Sequence, residues 1–160
     1  MAECRTSSGE QKVGFLEAVL IRLLERQFDV PVPLTEAWRT LARVEDWPRW
    51  APHIRSIELT PPAELRADSA GCIRLRNGVR STFRMTEFRP GVSWKWVGPF
   101  LWLTVHYDHR FEAIAPSRTR LNWTVDAEGF GVSVFGRLFA AVYSRNLDRA
   151  IPSLVSSFAK

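Results

Sequence analysis

His109 and Tyr107 are the side chains of this sequence best suited to chemistry, and they stand two residues apart in the run Leu103-Thr104-Val105-His106-Tyr107-Asp108-His109-Arg110-Phe111. The alternation of apolar and polar residues in that run reads as a β-strand, so both side chains leave from the same face. An imidazole with its ordinary pKa of ~6.5 moves protons near neutrality. A phenol beside it can donate a hydrogen bond to a carbonyl or polarise an enolate. The pair therefore suits proton transfer on a carbonyl-bearing small molecule. A single histidine next to Phe111 equally serves as a hydrogen-bonded core residue, and His53 and His106 carry less chemical interest. Ser-His-Asp order, a Gly-rich phosphate loop, metal-spaced histidines and paired inward carboxylates are all missing from the sequence, which disfavours hydrolase, nucleotide-dependent and metal-dependent classes. No cofactor and no metal is expected. Cys4 and Cys72 allow at most one bridge and show no ligand spacing, so both are expected as reduced thiols.

The elements that must position such a pair follow from composition and pattern. The chain has 160 residues, of which 46% are hydrophobic and 12% aromatic, enough apolar surface for one folded core and too much for a disordered chain. Residues 1–12 read as a polar arm and 13–160 as a single domain. No apolar run reaches the ~18 residues of a membrane span, and the polar start lacks a secretory pattern, so a cytoplasmic location is expected. The formal net charge is +5, and 19 of the 22 basic residues are arginine. They are dispersed, without the runs that mark a polyanion-binding tract, and nucleic acid is not expected as a partner.

Leu16, Val19, Leu20, Leu23 and Leu24 recur at helical spacing before Arg26 to Val32 alternates, which predicts a short helical turn leading into a strand. Thr35 as a cap, with Leu34 as a staple before it, opens a short helix carrying Trp38, Leu41 and Ala42 on one face. The segment Glu45-Asp-Trp-Pro-Arg-Trp-Ala-Pro52 holds two prolines and two tryptophans, so it is a tight turn or a single helical turn. Strands follow over Ile54 to Thr60, Cys72 to Arg76, Val79 to Phe88, Ser93 to Val97, Leu101 to Ile114 and Arg118 to Ala127. Turn residues such as Asn77-Gly78 and Pro90-Gly91 separate them as in an antiparallel meander. Residues 131–160 form a long amphipathic helix with Phe135, Leu138, Phe139 and Val142 on one stripe, Asn146 within the apolar stripe, and a kink or split near Pro152. The fold class is α+β: a curved antiparallel sheet of about six to seven strands with the helices on one side.

The order of these elements, with Phe28-Asp-Val-Pro-Val-Pro-Leu-Thr-Glu-Ala-Trp38, Asp46-Trp-Pro-Arg-Trp50 and His109-Arg-Phe-Glu112, resembles the START-like (Bet v 1-like) superfamily, in its bacterial polyketide cyclase/dehydrase and lipid-transport branch. The resemblance covers roughly residues 20 to 158. It implies a helix-grip fold, with the sheet wrapped around the C-terminal helix and a cavity between them for an apolar or aromatic molecule. No catalytic signature of that branch matches here.

Alternation places Ser81, Phe83, Met85, Trp94, Trp96, Tyr107, His109 and Trp123 on the inner sheet face, opposite Phe135, Phe139, Tyr143 and Asn146 of the helix. These are the candidate ligand-binding residues, although core positions demand the same residue types. Trp38, Trp47 and Trp50 read as structural wedges between the short helices and the sheet end. The first functional expectation is binding or transport of a hydrophobic small molecule such as a lipid, quinone or aromatic polyketide. A polyketide cyclase, aromatase or dehydratase using His109 and Tyr107 is the alternative. A third reading is an interaction module meeting a membrane or another subunit through Pro99-Phe-Leu-Trp102.

Overall fold

A computed structural model describes residues 20–62 and 64–159. Seven strands form one antiparallel sheet: β1 (Ile21–Val30), β2 (Ile54–Thr60), β3 (Ala70–Leu75), β4 (Arg80–Arg89), β5 (Ser93–Phe100), β6 (Leu103–Ala115) and β7 (Arg118–Glu128). Their order across the curved sheet is β1-β7-β6-β5-β4-β3-β2. Helix α1 (Leu34–Ala42) and a 3-10 helix (Val44–Arg49) separate β1 from β2, and the long helix α2 (Val132–Phe158) follows β7. This is the helix-grip arrangement.

The meander exists because glycine and proline punctuate β-branched and aromatic runs. Gly78 and Gly91 sit in hairpin turns at φ 89° and 75°, a region that costs other residues energy. Gly71 has a different task. A Cβ there would stand 2.7 Å from the Phe83 ring and would also meet the Glu58 carbonyl, so only glycine lets β3 pass this close to Phe83 of β4.

Four expectations need correction. Leu23 and Leu24 belong to β1 rather than to a helical turn; a register shift between Arg22 and Leu24 lets both pack on the inner core, which imitates helical spacing. The predicted turn before Leu20 lies outside the described residues, as do Cys4 and the polar arm. The N-cap of α1 is Pro33 rather than Thr35, with no side-chain cap. Helix α2 runs on through Pro152 as a single helix, so the split near Ile151 does not occur. The stripe on α2 also divides: Phe135 and Phe139 turn to the sheet, while Leu138 and Val142 face solvent. Steps of 100° per residue align those two with Val134 on the outer side.

One core joins α1, the 3-10 helix, β2 and the C-terminal half of α2 to the inner sheet face, with Trp94, Leu41, Leu121 and Leu154 buried within it. A second, smaller cluster packs Leu103, Val105, Val125 and Ala127 against Leu23, Leu24, Phe135 and Phe139 at the other end. No helix among the described residues is long and apolar enough to cross a membrane.

Candidate functional site

Antiparallel pairing stacks the candidate residues into cross-strand rows. Trp94 pairs with His109, which pairs with Trp123, which pairs with Arg26. The next row runs Met85, Trp96, Tyr107 and Val125. Because side chains alternate with period two, residues opposite one another in register share a face, and every aromatic of these rows lies on the concave side.

The first row is closed over. Trp47 and Trp50 descend from the 3-10 helix, with Trp47 5.9 Å from the His109 ring and 5.5 Å from Trp96, and Trp50 6.1 Å from Trp123. Trp94 stacks on His109 at 5.2 Å, and Trp123 meets it edge-on at 5.5 Å. Trp38 of α1 seals the end, 5.0 Å from both Trp94 and Phe111. Trp47 has its indole N–H satisfied, donating to the Leu41 carbonyl at 2.9 Å. By contrast His109 Nδ1 and the Nε1 atoms of Trp50, Trp94 and Trp123 are buried without a hydrogen-bond partner among the described residues. Each such orphan costs about 1–3 kcal/mol against a satisfied group.

Burial pushes the His109 pKa down to about 3, which keeps the imidazole neutral throughout the physiological range. His53 is lowered too, by the same desolvation. His106 lies off this face and meets Glu128 at 3.1 Å.

The second row faces α2 through Tyr107. Tyr107 faces Tyr143 at 5.8 Å and Phe139 at 6.4 Å, and Phe139 stacks on Tyr143 at 5.4 Å. Phe100 closes on Phe139 at 4.9 Å. Burial raises the pKa of Tyr107, with a further push from Tyr143, and burial raises Tyr143 likewise. Both phenols nonetheless keep partial solvent exposure.

The twelve candidate residues thus divide. Phe83, Met85, Trp94, Trp96, His109 and Trp123 are buried beneath the short helices, whereas Ser81, Tyr107, Phe135, Phe139, Tyr143 and Asn146 are half-buried. Phe135 stands apart from the histidine, edge-on to Trp102 at 4.6 Å. Trp47, Trp50 and Phe100 are the contributors that sequence reasoning did not place at the site. The Trp-Pro-Arg-Trp turn was the available signal for the first two, read there as a wedge.

Two surface clefts lie elsewhere and contain none of the twelve. One, of about 340 Å³, is on the outer sheet face among Glu87, Arg89, Lys95, Arg110, Glu112 and Arg120. Its charges are paired locally, with Glu87 2.9 Å from Lys95 and 3.0 Å from Arg89. The other, of about 430 Å³, lies between Arg43, Arg49 and Trp50 and the serines Ser153, Ser156 and Ser157 at the end of α2. Among the described residues, no three histidine, cysteine or carboxylate side chains stand together as metal ligands. Cys72 is half-buried and has no disulfide partner among the described residues.

The fold is shared with several solved structures of low sequence identity. The chain is similar to the Zhui aromatase/cyclase from Streptomyces sp. R1128, with 16% identity, a TM-score of 0.68, and 88% of this chain and 94% of that one covered. It is similar to the ginseng major latex-like protein 151 from Panax ginseng at 11% identity and a TM-score of 0.68, covering 88% and 99% of the two chains. A START superfamily protein from Mycobacterium smegmatis matches at 12% identity and a TM-score of 0.62, covering 85% and 96%. Among curated proteins the sequence finds no significant match. The family described as polyketide cyclase / dehydrase and lipid transport matches residues 23–157. With that match spanning nearly the whole helix-grip domain, the chain belongs to the polyketide cyclase / dehydrase and lipid transport family.

Proposed function

We propose that the protein binds a hydrophobic small molecule, such as a lipid, quinone or aromatic polyketide, between the sheet and α2. One observation carries this reading: Tyr107, Phe139 and Tyr143 bring aromatic faces and two hydroxyl groups together while remaining partly open to solvent. Mostly apolar walls with a few polar groups are what a small-molecule site requires. Ser81, Phe135 and Asn146, half-buried like these rings, complete the proposed wall, while Phe83, Met85, Trp94, Trp96, His109 and Trp123, covered by the short helices, form the packed layer behind it. The driving force is burial of ligand surface, worth ~25 cal/mol per Å² before the cost of association. The family and the fold suit such a role. Native mass spectrometry and quenching of tryptophan emission with a panel of lipids, quinones and flavonoids test it. Saturable binding by one class supports the proposal, and no binding by any of them defeats it.

A second reading is a cyclase or dehydratase in which His109 and Tyr107 move protons. It is favoured by the Nδ1 of His109, without a hydrogen-bond partner among the described residues and on the same strand face as Tyr107. The depressed pKa counts against it, because a neutral imidazole that protonates only near pH 3 is a weak base and has no proton to give as an acid at neutrality. Turnover of a polyketide-like substrate that disappears in His109→Ala would establish the second reading over simple binding.

A further inference from the structure

We propose that the outer face of the N-terminal half of α2, together with the β5–β6 hairpin, docks on an anionic lipid bilayer. Six large apolar side chains are exposed there: Leu101 (60%), Trp102 (52%), Phe130 (86%), Val134 (67%), Leu138 (57%) and Val142 (53%). Val134, Leu138 and Val142 follow one another at intervals of four, so they form a ridge about 12 Å long on one side of the helix. The hairpin is fixed beside the start of that ridge, since Trp102 donates its indole N–H to the Phe130 carbonyl at 2.7 Å and packs on Phe135. Single exposed apolar residues are ordinary on a soluble protein, but a continuous group of this size marks a contact surface.

Charge selects the occupant. Arg145 and Arg149 continue the same helical side beyond Val142, Arg137 flanks it, and all three are exposed. The hairpin tip and residues 129–147 contain no acidic residue, and the one carboxylate of α2, Asp148, is held by Arg26 at 3.3 Å. A second copy of this chain meeting the ridge face to face would bring like charges together. Phospholipid of negative charge accepts both features at once, its acyl boundary taking Trp102, Phe130 and Leu138 and its phosphates taking the arginines.

Co-sedimentation of the intact protein with vesicles tests the proposal, using phosphatidylcholine alone and equal parts phosphatidylcholine and phosphatidylglycerol. Binding is expected to the mixed vesicles, with a blue shift of the tryptophan emission that Trp102→Phe abolishes, and to weaken as salt rises from about 0.1 to about 0.5 M. Leu138→Glu combined with Val142→Glu reduces it about tenfold or more, and Arg137→Ser with Arg145→Ser reduces it by about fivefold per arginine. The near-ultraviolet circular dichroism of each variant reports folding, and the arginine variant and the salt series decide the matter if the glutamate variant unfolds. No binding to mixed vesicles overturns the proposal, as does equal binding to both vesicle types. So does a lipid-independent dimer in size exclusion that Leu138→Glu dissolves, which would give the face to a second copy.

Discussion

Trp94 on β5 and His109 on β6 are register partners, and their rings stack with centroids 5.2 Å apart and planes 23° from parallel. The stacking helps bury an ionisable ring, so that its charged form loses hydration. That is why its pKa falls to about 3.

A pH dependence of stability follows. The unfolded chain binds a proton at His109 below its ordinary pKa of ~6.5, while the folded chain does not until about pH 3. Stability is therefore complete above ~6.5 and is lost as pH falls through the interval below it. From about pH 7.5 to about pH 5.5 this one group removes about 1.4 kcal/mol, and the lowered His53 adds a loss of the same sign. Urea unfolding at the two pH values measures it. His109→Phe should flatten the slope, and an unchanged slope in that variant would show that other groups cause it.

Ligand affinity should respond to the second row more than stability does. Phe139 is half-buried and stacks on Tyr143 at 5.4 Å, so Phe139→Ala leaves a partly solvated gap at a modest cost in folding. The same change removes one wall of the proposed site, and binding of a ligand identified by mass spectrometry should weaken about tenfold or more. Equal affinity in the variant and the parent would move the site away from α2.

Gly71→Ala should destabilise the protein by about 1–3 kcal/mol, because the new methyl meets both the Phe83 ring and a backbone carbonyl of β2 that cannot turn aside. Thermal unfolding reads this directly. Phe83→Leu in the same chain should recover only part of the loss, since the Glu58 carbonyl remains in the way.

Trp47→Phe keeps an aromatic roof over His109 but leaves the buried Leu41 carbonyl without its indole donor. A loss of about 1–3 kcal/mol is expected in chemical denaturation. A variant as stable as the parent would mean that another donor or water reaches that carbonyl.

The strands were legible because their ends are written in glycine, proline and asparagine. Ile54–Thr60 was read with its observed bounds, and the other strand bounds of the meander shifted by three residues or fewer. Alternation also identified which residues share the concave face, since Trp94, His109 and Trp123 lie in one register row. What alternation cannot give is the layer above that face. Trp47 and Trp50 come from a distant turn, and only the packed structure shows them seated on His109 and Trp123. The misreading of Leu23 and Leu24 has a similar origin: a bulge changes the local period, and two adjacent leucines can then serve one side of a strand. On α2, both sides of the helix carry large apolar residues, so hydrophobic spacing alone could not tell Phe139, which faces the sheet, from Leu138, which does not.

The strand order β1-β7-β6-β5-β4-β3-β2 sets the first strand beside the last. Ile21 must wait for Ala127, and Val30 for Thr119, before either finds its hydrogen-bonding neighbour. During synthesis, hairpins from β2 onward can assemble as they leave the ribosome, while the initial strand remains an unpaired edge until almost everything else has been made. Completion of this domain is thus a late, long-range closure, and the nascent chain is most exposed to aggregation or chaperone capture in the interval just before β7 emerges.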